Sequence, residues 1–114
     1  MTEKHVTLKT AETLKKLGFP QDDNYKVLYD KDGNYHLTYI AFPPQSIVQK
    51  WLRDEKNLHI TIYNCACGYG YEISRADDGT HVDNSNYEGP NDGGEWDTYE
   101  EALEDGILKS LKLI

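Results

Sequence analysis

Leu58-His59-Ile60-Thr61-Ile62-Tyr63-Asn64-Cys65-Ala66-Cys67-Gly68-Tyr69-Gly70-Tyr71-Glu72-Ile73 is the stretch that decides the fold. Leu58, Ile60 and Ile62 alternate with His59, Thr61 and Tyr63, a period of two that places one set against a core and the other towards solvent. Tyr69, Tyr71 and Ile73 repeat the pattern as the hairpin partner, with Cys65 to Gly68 as the turn. The runs Tyr25–Tyr29 and Tyr35–Ile40 are β-prone in the same way, and Asp30-Lys31-Asp32-Gly33-Asn34 between them supplies turn chemistry, including a glycine for positive φ.

Three helices are expected around these hairpins. Thr7 is a good N-cap, Leu8, Ala11, Leu14 and Leu17 recur at helical spacing, and Gly18 suits the left-handed position after a helix over 8–17, with Phe19 folding back. Pro43-Pro44 ends the strand before it and pre-sets the first turn of a second helix through Asp54, whose buried face is expected at Ile47, Val48, Trp51 and Leu52. Thr98-Tyr99-Glu100-Glu101 is a capping box that opens a third, with Ala102, Leu103, Ile107, Leu108 and Leu111 on its apolar stripe. Residues 76–95, rich in Asp, Asn, Gly and Ser, read as a long surface loop. The expectation is an α+β domain over 1–114, in the order α-β-β-α-β-β-α, with a four-stranded antiparallel sheet and helices mainly on one face.

Composition narrows the function classes. The chain has 114 residues, within the usual single-domain range of roughly 100–150, and its apolar positions run along the whole length. No window approaches the roughly 18 apolar residues of a membrane span, and two cysteines are too few for the disulfide framework of a small secreted fold. A cytoplasmic setting is expected. The net charge of −8 is lopsided: residues 1–76 carry ten Lys and Arg against nine Asp and Glu, whereas residues 77–114 carry two against eleven. Between Asp77 and Asp105 there is no Lys or Arg, so direct nucleic-acid binding, which needs clustered positive charge, is disfavoured.

Pro44-Gln45-Ser46, Gln49-Lys50-Trp51-Leu52-Arg53, Asp97-Thr98-Tyr99-Glu100-Glu101-Ala102-Leu103-Glu104 and the ending Leu111-Lys112-Leu113-Ile114 form a recognisable pattern, joined by Thr10-Ala11 and Leu17-Gly18-Phe19. In these residues the chain resembles a group of short, uncharacterised proteins of Bacteroides-type gut bacteria and their phages or prophages. The resemblance implies a mobile-element origin and a cytosolic setting, brings no catalytic residues, and favours an accessory or interaction role. Arg53 lies off the apolar stripe of its helix and is one candidate contact on that ground.

Enzymatic signatures are missing: there is no phosphate loop, dinucleotide fingerprint, His-Glu-x-x-His or Gly-x-Ser-x-Gly. Cys65-Ala66-Cys67 supplies two soft ligands where structural zinc takes four, with only His36, His59 and His81 left to complete the set, so no metal or cofactor is expected. Asp30-Lys31-Asp32-Gly33-Asn34 has its glycine fourth rather than sixth for a calcium loop, and the twelfth position is Ala41. Nine tyrosines suit either a sheet core or an interface, because tyrosine joins large area to a polar tip.

The expected function is that of a non-enzymatic module binding another protein through the aromatic sheet face or the acidic C-terminal third, the latter in one form imitating a phosphate backbone. The candidate contacts are Arg53, Tyr63, Tyr69, Tyr71, Asp92, Glu95 and Asp97. The competing classes are a small enzyme or ligand-binding domain using Cys67 with His59 or His81, and a homodimer formed through an exposed sheet edge or face.

Overall fold

The computed structural model describes residues 4–30, 37–85 and 88–114. Helix α1 spans Leu8–Lys16, a short 3-10 turn Asp23–Tyr25 leads into β1 (Lys26–Asp30), and β2 (Leu37–Ala41) runs back to α2 (Gln45–Glu55). Strands β3 (Leu58–Cys65), β4 (Gly68–Arg75) and β5 (His81–Asn84) follow, and α3 (Tyr99–Lys112) closes the chain. The fold is α+β with three helices among the described residues, as the sequence predicts, but these residues form five strands instead of four. They form two sheets instead of one, a β1-β2 ribbon and an antiparallel β3-β4-β5 sheet.

The separation of the sheets has a local cause. The outer edge of β2 is occupied by side chains, with the Gln21 amide oxygen accepting from the Ala41 N–H at 2.9 Å and the Lys15 ammonium donating to the Tyr39 carbonyl at 3.0 Å. The outer edge of β3 is likewise taken at Ile60, whose carbonyl accepts from the Gln49 side chain at 2.9 Å. Neither edge is free to join the other. The turn at 31–34, Tyr35 and His36 lie outside the described residues.

Strand β5 lies inside the stretch expected to be one long loop. It carries a single apolar side chain, half-buried Val82, so no hydrophobic period marks it. Where β5 stops, Ser85 and Trp96 continue to pair with β4: the Ser85 N–H donates to the Tyr71 carbonyl at 3.0 Å, and Tyr69 and Trp96 exchange backbone bonds of 2.7 and 2.9 Å.

The caps behave as their residue types dictate. Thr7 and Thr98 accept from the N–H groups of Thr10 and Glu101, and α1 ends one residue early at Lys16, with Gly18 at φ +87°. Phe19 then donates back to the Leu14 carbonyl at 3.0 Å and buries its ring. On α2 the buried stripe is Gln45, Val48 and Leu52, Trp51 is half-buried and Ile47 is 40% exposed, which corrects the expected face. Gln45 sets that rotation, because its side chain points inward to donate to the Glu100 carbonyl at 2.9 Å and the Glu104 carboxylate at 3.0 Å.

A single apolar cluster joins α1, Ile40 of β2, α2, β3, β4 and α3. Helices α2 and α3 cover one face of the three-stranded sheet, where Leu58, Ile60, Tyr71 and Ile73 are buried. Side chains such as Ile60, Ile73 and Ile107 each contribute about 1.5–3 kcal/mol through burial. Glu104 adds a polar hub inside this layer, accepting from the Thr7 N–H at 3.2 Å and from the Thr10 hydroxyl as well as from Gln45. No described helix is long and apolar enough to cross a membrane.

Candidate functional site

Register decides which candidate residues meet. Tyr63 pairs with Gly70 and Ile62 with Tyr71, so Tyr63 stands on the open face of the sheet and Tyr71 on the covered one, with Tyr69 two residues away on the same side as Tyr71. Among the described residues the open face presents Thr61, Tyr63 and Glu72 and carries one tyrosine, not an aromatic patch. Tyr71 is fully buried, stacked on Trp96 at 5.7 Å, and its hydroxyl donates to Asp105 at 2.7 Å and Glu88 at 3.3 Å. Burial above all, and then hydrogen bonding to Asp105, pushes its phenol far above the ordinary range. Tyr71 is thus a core residue and not a surface contact.

Glu95 is also removed from the surface. Its carboxylate lies against the Cα of Gly70, where an added Cβ would sit 2.3 Å from Oε2 and 2.6 Å from the Tyr63 hydroxyl. Oε2 has no hydrogen-bond partner among the described residues. Arg53 is exposed on α2, 3.6 Å from Asp54, on an element apart from the other candidates.

The cysteine readings separate in space. Cys65 and Cys67 are free and exposed at the two-residue β3–β4 turn, whereas His59 and His81 both stand beside Ser74 at the far end of the strands. Six residues of β4 lie between Cys67 and Ser74, roughly 20 Å, so neither His59 nor His81 reaches a cysteine. His81 instead sits 3.0 Å from Glu72. No described group of three or more His, Cys, Asp or Glu residues has metal-holding geometry.

What remains together is a patch at the tip of β3–β4 and the start of α3. The Asn91 amide donates to the Cys67 carbonyl at 2.9 Å and to the Asp97 carboxylate at 2.8 Å, tying the 88–97 loop to the hairpin turn. The next strand-like pair, Tyr69 with Trp96, brings Tyr69 against Tyr99 edge-to-face with ring centres 6.3 Å apart. Tyr99 is 42% exposed, its chain neighbours Asp97, Glu100 and Glu101 are exposed, and so is Asp92 of the 88–97 loop. No salt bridge holds these four carboxylates among the described residues. Tyr99 is the member that sequence reasoning missed, having been assigned only to the capping box. An aromatic residue at the first helical position, next to Glu100 and two residues after Asp97, was the available signal.

A second concavity of about 260 Å³ opens between the 3-10 turn and α2, lined among others by Phe19, Tyr25, Ile47, Trp51, Lys50 and Asp54. Phe19 and Trp51 meet edge-to-face at 5.1 Å, and the Lys56 ammonium lies 5.3 Å from the Trp51 ring centre. The hydrogen bond from Lys50 holds the Asp54 carboxyl below its usual range. Lys50 and Asp54 on the rim of this concavity pair with each other, in contrast to the carboxylates at Tyr99. A scan against models of protein families finds no match to this chain, and searches of curated proteins and of solved structures find none either.

Proposed function

We propose that this chain is a non-enzymatic binding module that takes a basic protein partner on the acidic-aromatic patch around Tyr99. The observation that carries the reading is exposed Tyr99 set edge-to-face on half-buried Tyr69 and bordered by Asp97, Glu100 and Glu101, within a stretch from Asp77 to Asp105 that contains no lysine or arginine. Tyrosine supplies area that excludes water, and the surrounding carboxylates steer and orient a cationic surface. A partner whose basic groove ordinarily holds nucleic acid fits this chemistry, with the acidic stretch standing in for a phosphate backbone, and an accessory role on a mobile element agrees with it. Catalysis by Cys67 draws no support from a thiol that has neither His59 nor His81 within reach.

The test is capture of host proteins on the tagged chain at low and high salt, followed by titration of the retained protein against variants. Wild-type binding should weaken steeply with salt, and Tyr99→Ala or the triple change Asp97→Asn, Glu100→Gln, Glu101→Gln should each cost on the order of tenfold in affinity. Retention of full affinity by both variants would overturn the assignment.

A further inference from the structure

We infer that β1 is a self-complementary edge through which two copies of this chain pair antiparallel into a four-stranded sheet centred on Leu28. The ribbon is the least finished part of the molecule: two strands alone are marginal in water, and β1 has β2 as its only described strand neighbour. Val27, Leu28 and Tyr39 are 50%, 45% and 60% exposed. The edge of β2 is closed by Lys15 and Gln21, which leaves β1, among the described residues, as the edge open to addition.

The hydrogen-bond phase fits a two-fold axis at Leu28. The Phe42 N–H donates to the Tyr25 carbonyl at 2.8 Å, so Tyr25, Val27 and Tyr29 turn their backbone groups towards β2, and Lys26, Leu28 and Asp30 turn theirs outward. The Lys26 N–H is already used by the Asp23 carbonyl. Antiparallel pairing about Leu28 joins the two Leu28 residues by reciprocal N–H···O=C bonds and lets each Asp30 N–H donate to the Lys26 carbonyl of the second copy. Among the described residues it uses no backbone N–H that is bonded elsewhere.

Residue types match at every step of that register. Lys-Val-Leu-Tyr-Asp read against itself places Lys26 opposite Asp30, Val27 opposite Tyr29 and Leu28 opposite Leu28. The one cation of the strand, which lies 3.0 Å from Asp23 of its own chain, therefore takes the register position opposite the one anion, and a β-branched residue the position opposite an aromatic one, both favourable cross-strand pairings by residue type. Tyr39 is the cross-strand neighbour of Leu28 on the same face, so pairing unites Tyr39, Leu28 and their two counterparts in one apolar row. The charge excess of the chain does not oppose this, since it resides beyond residue 76.

The experiment is sedimentation of the full chain over a wide concentration range, with circular dichroism as a check on folding. The mass should rise from 13.1 kDa towards twice that value. Leu28→Pro removes an outward N–H without touching a β1–β2 bond and should weaken association at least about tenfold. Lys26→Asp should weaken it likewise by setting acid against acid, and adding Asp30→Lys should restore it, an arm that stands even where the proline variant does not fold. A wild-type chain that stays monomeric throughout, a dimer indifferent to both Leu28→Pro and Lys26→Asp, or a double exchange that fails to recover association would each overturn the inference.

Discussion

Gly68→Ala tests how the 88–97 loop is held to the sheet. Gly68 sits at φ +128°, and a Cβ there would lie 2.1 Å from the Trp96 carbonyl oxygen and 3.0 Å from its carbon. Both are backbone atoms, so no side-chain rotation relieves the clash. The loop must retreat, and with it go the two backbone bonds between Tyr69 and Trp96, at 2.7 and 2.9 Å. Two hydrogen bonds at about 1 kcal/mol each, added to about 1–3 kcal/mol of backbone strain, predict a loss of about 3–5 kcal/mol. That is a large part of the roughly 5–15 kcal/mol that holds a domain folded, and Tm should fall by more than about 10 °C. Urea unfolding followed by tryptophan fluorescence measures it. Gly79→Ala is the control, since Gly79 has φ +77° but nothing within 4 Å of the added Cβ, and should cost only about 1 kcal/mol. Equal losses in the two variants would refute the argument that backbone approach at Trp96 is what requires glycine.

Two further outcomes follow from buried polar groups. Glu104→Ala leaves the donors of Thr7, Thr10 and Gln45 without their shared acceptor and should destabilise by about 2–4 kcal/mol, whereas a loss below about 1 kcal/mol in denaturant melts would show that water replaces the carboxylate. Tyr71 has a folded phenol raised above its unfolded value of about 10, so its contribution is complete below that pH and is lost as pH rises beyond it. Spectrophotometric titration should find one tyrosine that ionises only with unfolding, and Tyr71→Phe should abolish that step. An unchanged titration in the variant would contradict the assignment.

Helix caps and strand alternation were readable because each rests on near neighbours. Thr7, Gly18, Thr98 and the Leu58–Ile73 period act within a few residues, and their structures follow. The single four-stranded sheet failed for the opposite reason: Gln21, Lys15 and Gln49 cap strand edges across the fold, and nothing in their sequence surroundings marks a glutamine or lysine as an edge plug. Strand β5 was hidden by its one apolar residue. For the site, Asp97 and Tyr69 were legible from charge and composition and lie at the Tyr99 patch, while Asp92 is exposed on the 88–97 loop. Tyr71 and Glu95 were misplaced because an alternating tyrosine and a loop carboxylate look the same whether the loop folds away from the sheet or onto it, as it does through Ser85 and Trp96.

The Glu104 hub has a consequence for synthesis. The Thr7 N–H and hydroxyl that start α1 are bonded to a carboxylate 97 residues later in the chain. As the polypeptide emerges, α1 can form its own turns, but its anchoring acceptor is made long after it. The β3–β4 hairpin meets its partner within a few residues, whereas the seam between α1, α2 and α3 can close only once Glu104 has left the ribosome. Until then the nascent chain presents an apolar α1 stripe without its cover, which is the interval in which this small fold has most need of a chaperone.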